Sequence, residues 1–198
     1  MGGDFPVSAV LTGASVHDSQ VAIPLAELPS LDSLQRDLSA IDAFIQRGQA
    51  GDPETLFCVG MNFPRVLTPP YRARLVEMIR PWFVQAIKTH QEGRLGQVPK
   101  ALPLEIFVGR IGDVGLVGLP FEPFVRIGLR IKREAPLPCV LPCGYCEEAY
   151  GYITDAVSCD EREYTAGFFR YTPDRPPLRA PAGEAAAVAA VQALQELS

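Results

Sequence analysis

A carboxylate and a set of phenols are the groups in this chain best placed to do chemistry. Glu122 ends the run Val114–Leu119 followed by Pro120-Phe121, and a helical pattern begins directly behind it. A carboxylate at such a strand-to-helix corner is either an anion aimed into a site or a helix N-terminal charge stabilised by the dipole. Tyr145, Tyr150 and Tyr152 cluster at the end of a third short apolar run that starts at Val140. Strand ends in open α/β sheets are where ligands gather, so a phenol-lined pocket beside a carboxylate is the functional reading. The plain reading is that tyrosines of a half-buried strand pack their rings and hydrogen-bond their hydroxyls. Glu147, Glu148, Asp155 and Asp160 add acidity nearby, and as loop residues they read as exposed carboxylates.

The elements that must hold these groups are legible from apolar spacing. Leu104–Val108 and Val114–Leu119 flank Ile111-Gly112-Asp113, the composition of a tight hairpin turn. Behind Glu122, Phe124, Ile127 (with Val125 beside it), Leu129 and Ile131 fall near helical spacing, with Arg126, Arg130, Lys132 and Arg133 between them. Upstream, Val7–Leu11 and Gln20–Leu25 read as strands. Ser30 can cap a helix from Leu31 to about Arg47 with Leu31, Leu34, Leu38, Ile41 and Ile45 on one face. Leu56–Gly60 reads as a short strand or a loop. The pattern from Tyr71 to about His90 is helical, and Pro81 inside it forces a kink or a split. An alanine-rich helix from Gly183 to Leu197, striped by Val188, Val191 and Leu194, closes the chain. The expected fold is α/β: a mixed β-sheet built on the 104–119 hairpin and the 139–146 strand, flanked by helices beginning near Leu31, Tyr71, Glu122 and Gly183.

Taken together, Ile111-Gly112-Asp113, Pro120-Phe121-Glu122, Gly144-Tyr145-Cys146-Glu147, Tyr150-Gly151-Tyr152 and Tyr164 resemble the C-terminal part of the catalytic domain of neutral/alkaline (non-lysosomal) ceramidases. The segment Val21–Ser30 resembles that family's strand and turn before a helix. The resemblance implies that residues 1–198 are a single domain corresponding to the C-terminal half of a larger ceramidase-like catalytic fold. It implies a zinc-dependent amidohydrolase acting on an N-acyl amide bond, with Glu122 and Tyr152 as metal ligands. The family completes its zinc site with two histidines from the N-terminal half. The only histidines here are His17, in a stretch that reads as a turn, and His90, near a helix end. Phe121, Glu147 and Thr165 stand where the family usually has glycine, asparagine and glutamate. The chain therefore resembles an incomplete zinc amidase. The rival reading is a non-catalytic remnant or subunit that serves as a binding or assembly module.

That resemblance also sets expectations for partners. A half domain would expose apolar faces, and the hairpin Leu104–Leu119 is the surface expected to meet a second copy or a separately encoded N-terminal half. A net charge of −5 with no basic cluster beyond the helical cations argues against nucleic acid. No apolar stretch is long enough to span a bilayer. Met1-Gly2-Gly3-Asp4 lacks the basic start and apolar core of a signal peptide, so the default location is cytoplasmic, although the resembled family is often exported.

Five cysteines, an odd number, do not read as a disulfide framework. Cys139, Cys143 and Cys146 have the CxxxCxxC spacing that can wrap an iron–sulfur cluster in a loop. On a strand, alternate residues point to opposite faces and the three cannot converge. They read as small buried hydrophobes, and Cys159 does not change that.

Overall fold

The computed structural model describes residues 14–158, 164–172, 175–179 and 182–197. In chain order the elements are β1 (Ala14–Pro24), α1 (Leu31–Gln49), β2 (Phe57–Cys58), β3 (Met61–Asn62), α2 (Pro69–Glu77), α3 (Arg80–Gln91), β4 (Ala101–Ile111), β5 (Val114–Gly118), β6 (Glu122–Pro123), α4 (Val125–Glu134), β7 (Cys139–Cys143), β8 (Tyr152–Ile153) and α5 (Ala182–Glu196). Short 3-10 turns cover Leu95–Gln97 and Phe168–Tyr171. The strand expected at Val7–Leu11 lies outside the described residues.

The main sheet runs β1-β4-β5-β7. The first two pairings are antiparallel and the last is parallel, so the sheet is mixed as expected. Ile111 pairs with Val114, which leaves Gly112-Asp113 as a two-residue turn with Gly112 at φ 58°. That left-handed backbone is what two-residue hairpin turns require, and glycine adopts it without steric cost. Because β5 and β7 are parallel, the chain must cross over between them, and α4 is that crossover.

Leu104, Ile106 and Val108 alternate inward along β4 and pack with Val117 and Leu119. Ile127 and Ile131 of α4 and Ala186, Ala187, Ala190 and Leu194 of α5 cover that face. The exposed hairpin surface expected from the sequence is therefore covered, on its inward face, by helices of the same chain. Small side chains let α5 lie close on the sheet, so its buried stripe is the alanine face. Val188, expected on the stripe, is exposed instead.

A second apolar cluster joins Leu34, Ile41 and Phe44 of α1 to Val76 of α2 and to Trp82 and Phe83 of α3. Ser30 caps α1 by accepting from Ser33 N–H at 3.3 Å. The long helical pattern is split, and Pro81 falls in the first turn of α3, where a missing N–H costs nothing. The buried Arg72 side chain fastens the preceding loop by donating to the carbonyls of Leu67, Pro53 and Thr55 at 3.0, 3.1 and 2.5 Å. Trp82 Nε1 ties this cluster to the C-terminal segment by donating to Arg175 O at 2.8 Å.

His17 is not in a turn. It sits inside β1 opposite Val108, with its ring 3.6 Å from Glu196. β1 starts earlier than apolar content suggests because Ser15, Asp18 and Ser19 pair along β4 by backbone, whatever their side chains. Among the described residues, no helix is long and apolar enough to cross a membrane.

Candidate functional site

Beyond β5 the backbone continues extended to Phe124, and the segment 143–153 runs beside it. Tyr145 N–H donates to Phe121 O at 2.8 Å, Tyr150 N–H to Pro120 O at 2.9 Å, and Glu122 N–H to Gly151 O at 2.8 Å. Phe124 N–H closes the pairing on Ile153 O at 3.2 Å. This makes β6 and β8 a parallel pair in which Glu122 and Tyr152 are direct partners. The two residues that the sequence singles out thus stand side by side, two residues before Phe124 caps α4. Glu122 is a corner carboxylate and not part of the helix's first turn.

Phe121 meets the demands of its place without strain. It is fully buried, its ring 5.8 Å from that of Tyr150, and its φ is not positive. Left-handed backbone falls instead on Tyr145 at φ 56° and Glu147 at φ 64°. Glu147 is where the resembled family usually carries asparagine, a residue that tolerates this conformation better. Gly151 is also left-handed, at φ 82°, and a Cβ there would collide with the Phe168 ring. Glycine is required at that position twice over, for conformation and for space.

Glu122 is surrounded by phenols. Tyr145 donates its hydroxyl hydrogen to Glu122 Oε2. The Tyr145 phenol is pushed up to about 12, first by that hydrogen bond and then by desolvation. Burial raises Tyr152 and then the Glu122 charge adds to it; the same two causes, in the same order, raise Tyr164. A carboxylate beside a phenol disfavours a second negative charge, so all three hydroxyls stay protonated at neutral pH and serve as donors.

An aromatic wall fixes the rings. Tyr152 stands edge-on to Phe168 at 5.3 Å, to Tyr164 at 6.0 Å and to Phe124 at 6.5 Å. Tyr164 in turn meets Phe168 at 5.8 Å and Tyr171 at 6.2 Å. Such edge-to-face geometry aligns ring edge and face charge and adds about 0.5–1.5 kcal/mol per pair.

Tyr150, expected in the phenol pocket, is turned elsewhere: its ring packs on Phe121, and Glu148 raises its hydroxyl. Phe124 and Phe168 join the site without having been singled out, since lone phenylalanines carry no chemical signal in sequence. Asp155, expected as an exposed loop carboxylate, is buried, and its Oδ1 accepts from Val157 and Ser158 N–H at 2.9 Å each. Asp160 and Cys159 lie outside the described residues. His17 is on the sheet edge opposite β7, and His90 Nε2 donates to Pro29 O at 2.8 Å. Neither meets Glu122. Among the described residues, no group of three or more histidine, cysteine, aspartate and glutamate side chains is placed to hold a metal ion.

The fold and site define a mixed α/β protein with a carboxylate–phenol cluster at a strand-to-helix corner. No family model matches the sequence, and no curated protein matches it. Solved structures similar to it include a ceramidase complexed with C2, at 26% identity over 50% of this chain and 16% of that one, with a TM-score of 0.37. Neutral ceramidase from Pseudomonas aeruginosa is similar at 17% identity over 93% of this chain and 29% of that one, with a TM-score of 0.40. The chain spans less than a third of the length of either.

Proposed function

We propose that this chain supplies the carboxylate–phenol part of a ceramidase-like amidohydrolase site that acts on an N-acyl amide bond of the ceramide type. One observation carries the reading. Glu122, Tyr145, Tyr152 and Tyr164 converge from separate stretches of chain, and two of them, Glu122 and Tyr152, are the residues that the sequence resemblance marks as metal ligands. The protonated phenols of Tyr152 and Tyr164 are fixed by ring contacts before a substrate arrives, while the one hydroxyl hydrogen of Tyr145 is given to Glu122. A carbonyl oxygen presented there would meet prepositioned hydroxyl groups, which is how developing negative charge is stabilised.

Zinc is the metal this reading implies. An open catalytic zinc site uses about three protein ligands. Glu122 and Tyr152 are two oxygens, and the phenol must lose its proton before it binds well. The residues described in this chain alone do not fit a zinc ion. The missing imidazoles would come from an N-terminal partner half. Hydrolysis of a fluorogenic N-acyl sphingosine, with and without zinc and with a histidine-bearing N-terminal half added, tests the proposal. Zinc-dependent turnover that is abolished by Glu122→Gln is the expected result. No turnover in any arm refutes it.

A second reading is favoured by the engagement of both histidines away from the site. On that reading the chain is a binding or assembly module that keeps the fold. Binding of the uncleaved N-acyl sphingosine, lost in Tyr152→Ala and without turnover in any arm, separates it from the first.

A further inference from the structure

The last residue of β7 and the segment after it carry two thiols, Cys143 and Cys146, that the carboxylate–phenol cluster does not use. In a regular parallel ladder a residue bonds to the neighbours on either side of its partner, and those two are separated by one residue. Leu119 N–H donates to Cys143 O at 2.9 Å, and Leu119 O accepts from Cys146 N–H at 3.1 Å. Gly144 and Tyr145 thus stand where one residue is expected, and Tyr145 N–H reaches on to Phe121 O at 2.8 Å, so past β7 the ladder gives way to a tight loop. Tyr145 turns that loop with left-handed backbone. Its two ends, Cys143 and Cys146, are both held on Leu119, two strand steps apart, which is ~6.6 Å at a rise of ~3.3 Å per residue. A disulfide bridges Cα separations up to about 6.8 Å.

Both sulfurs are within reach of that bond. Cys146 Sγ is turned back along the chain, 3.9 Å from Cys143 O and 3.7 Å from Gly144 O. Cys143 is exposed, its Sγ 3.6 Å from Leu141 O, and a rotation about its own side chain brings it round. Cys139 lies four residues back on the same strand, about 13 Å away at that rise and out of reach. Cys58 is buried, and burial pushes its thiol up to about 12. Burial, and then the neighbouring Cys143, raise the Cys146 thiol, which leaves Cys143 as the attacking sulfur. Cys146 also lines a cavity of about 530 Å³ whose other lining residues include Glu105, Glu147 and Glu148. Three acidic residues around one cavity repel anions and attract cations.

We propose that Cys143 and Cys146 form a C-x-x-C dithiol that reduces low-molecular-weight disulfides, cationic ones in preference to anionic ones. The Cys143 thiolate attacks one sulfur of the disulfide, forming a mixed disulfide and releasing the first thiol. Cys146 then loses its proton to the second leaving sulfur and attacks Cys143 Sγ. The protein ends with one intrachain disulfide, and the small disulfide ends as two thiols. The inference stands apart from the amidohydrolase reading and survives its failure.

The test treats the reduced full chain with cystamine or with glutathione disulfide and maps the products by mass spectrometry. The expected product has lost two hydrogen atoms, with the link between Cys143 and Cys146, and forms equally in Cys139→Ser. Cys146→Ser is expected to stop at a stable mixed disulfide on Cys143. Normalised to the rates of a small free monothiol, cystamine should react about tenfold faster than glutathione disulfide, and high salt should erase the difference. Persistent mixed disulfides on wild-type Cys143, or links made through other cysteines, overturn the dithiol. Equal normalised rates overturn the preference for cations.

Discussion

In the β4–β5 hairpin the inward side chains of Leu104, Ile106, Val108 and Val117 are apolar and buried, whereas residues 143–158 and 164–171 are held by backbone hydrogen bonds and ring edges. The hairpin answers to hydrophobic alternation and a two-residue turn. The site segment answers to particular carbonyls of Leu119, Pro120 and Phe121 and to three left-handed residues, Tyr145, Glu147 and Gly151. Stability and site geometry are thereby separable. A change in the first region should unfold the chain, and a change in the second should re-aim groups within a folded one.

The strongest test of that separation is Val108→Asp. Val108 is fully buried between α4, α5 and the strands. A carboxylate left unpaired there costs about 3–5 kcal/mol, a large part of the ~5–15 kcal/mol that holds a domain folded. Urea unfolding followed by circular dichroism should find the variant largely unfolded. A folded variant that only dissociates from a partner would instead make the hairpin an interface.

A smaller loss is expected from Gly151→Ala. The left-handed backbone penalises alanine by about 1–2 kcal/mol, and the collision with Phe168 adds about 1–3 kcal/mol of overpacking. Far-UV circular dichroism should be retained and the near-UV aromatic signal reduced, because Tyr152, Tyr164 and Phe168 share one stack. Unchanged near-UV signal would mean that the stack does not depend on this turn.

The Tyr145→Phe effect should be confined to alkaline pH. The Tyr145 phenol is raised from 10.0 to about 12 in the folded chain, chiefly by its bond to Glu122. A group raised on folding favours the fold below its unfolded value and loses that contribution as pH climbs through the folded one. Wild type should therefore lose stability relative to Tyr145→Phe between pH 10 and about 12, and the two should run parallel below that window. Thermal melts across alkaline pH decide it, and parallel curves throughout would contradict the bond.

What the sequence discloses follows the same division. The Leu31 helix, the Gly112-Asp113 turn, the split at Pro81 and the corner at Glu122 are local signals, and each falls where apolar spacing and backbone chemistry place it. The pairing of Glu122 with Tyr152 is reached only through the resemblance, since nothing local links residues so far apart in the chain. The loop at Gly144-Tyr145 is invisible to periodicity, because its course is set by the carbonyls of Leu119 and Phe121. That same loop separates Tyr145, which reaches Glu122, from Tyr150, which does not. The cysteines of β7 were expected to be buried, yet Cys139 and Cys143 are exposed because β7 is the edge of the sheet. Edge position is a property of the assembled sheet and not of any single strand.

One carboxylate, Glu122, organises the three phenols of the site. Carbon-13 NMR of ring-labelled tyrosine, titrated to alkaline pH in wild type and in Glu122→Gln, measures this directly. Tyr145 should fall from about 12 back toward 10.0 in the variant, and Tyr152 and Tyr164 should shift down with it while Tyr150 stays. Superimposable titrations of Tyr145, Tyr152 and Tyr164 in the two proteins would contradict it.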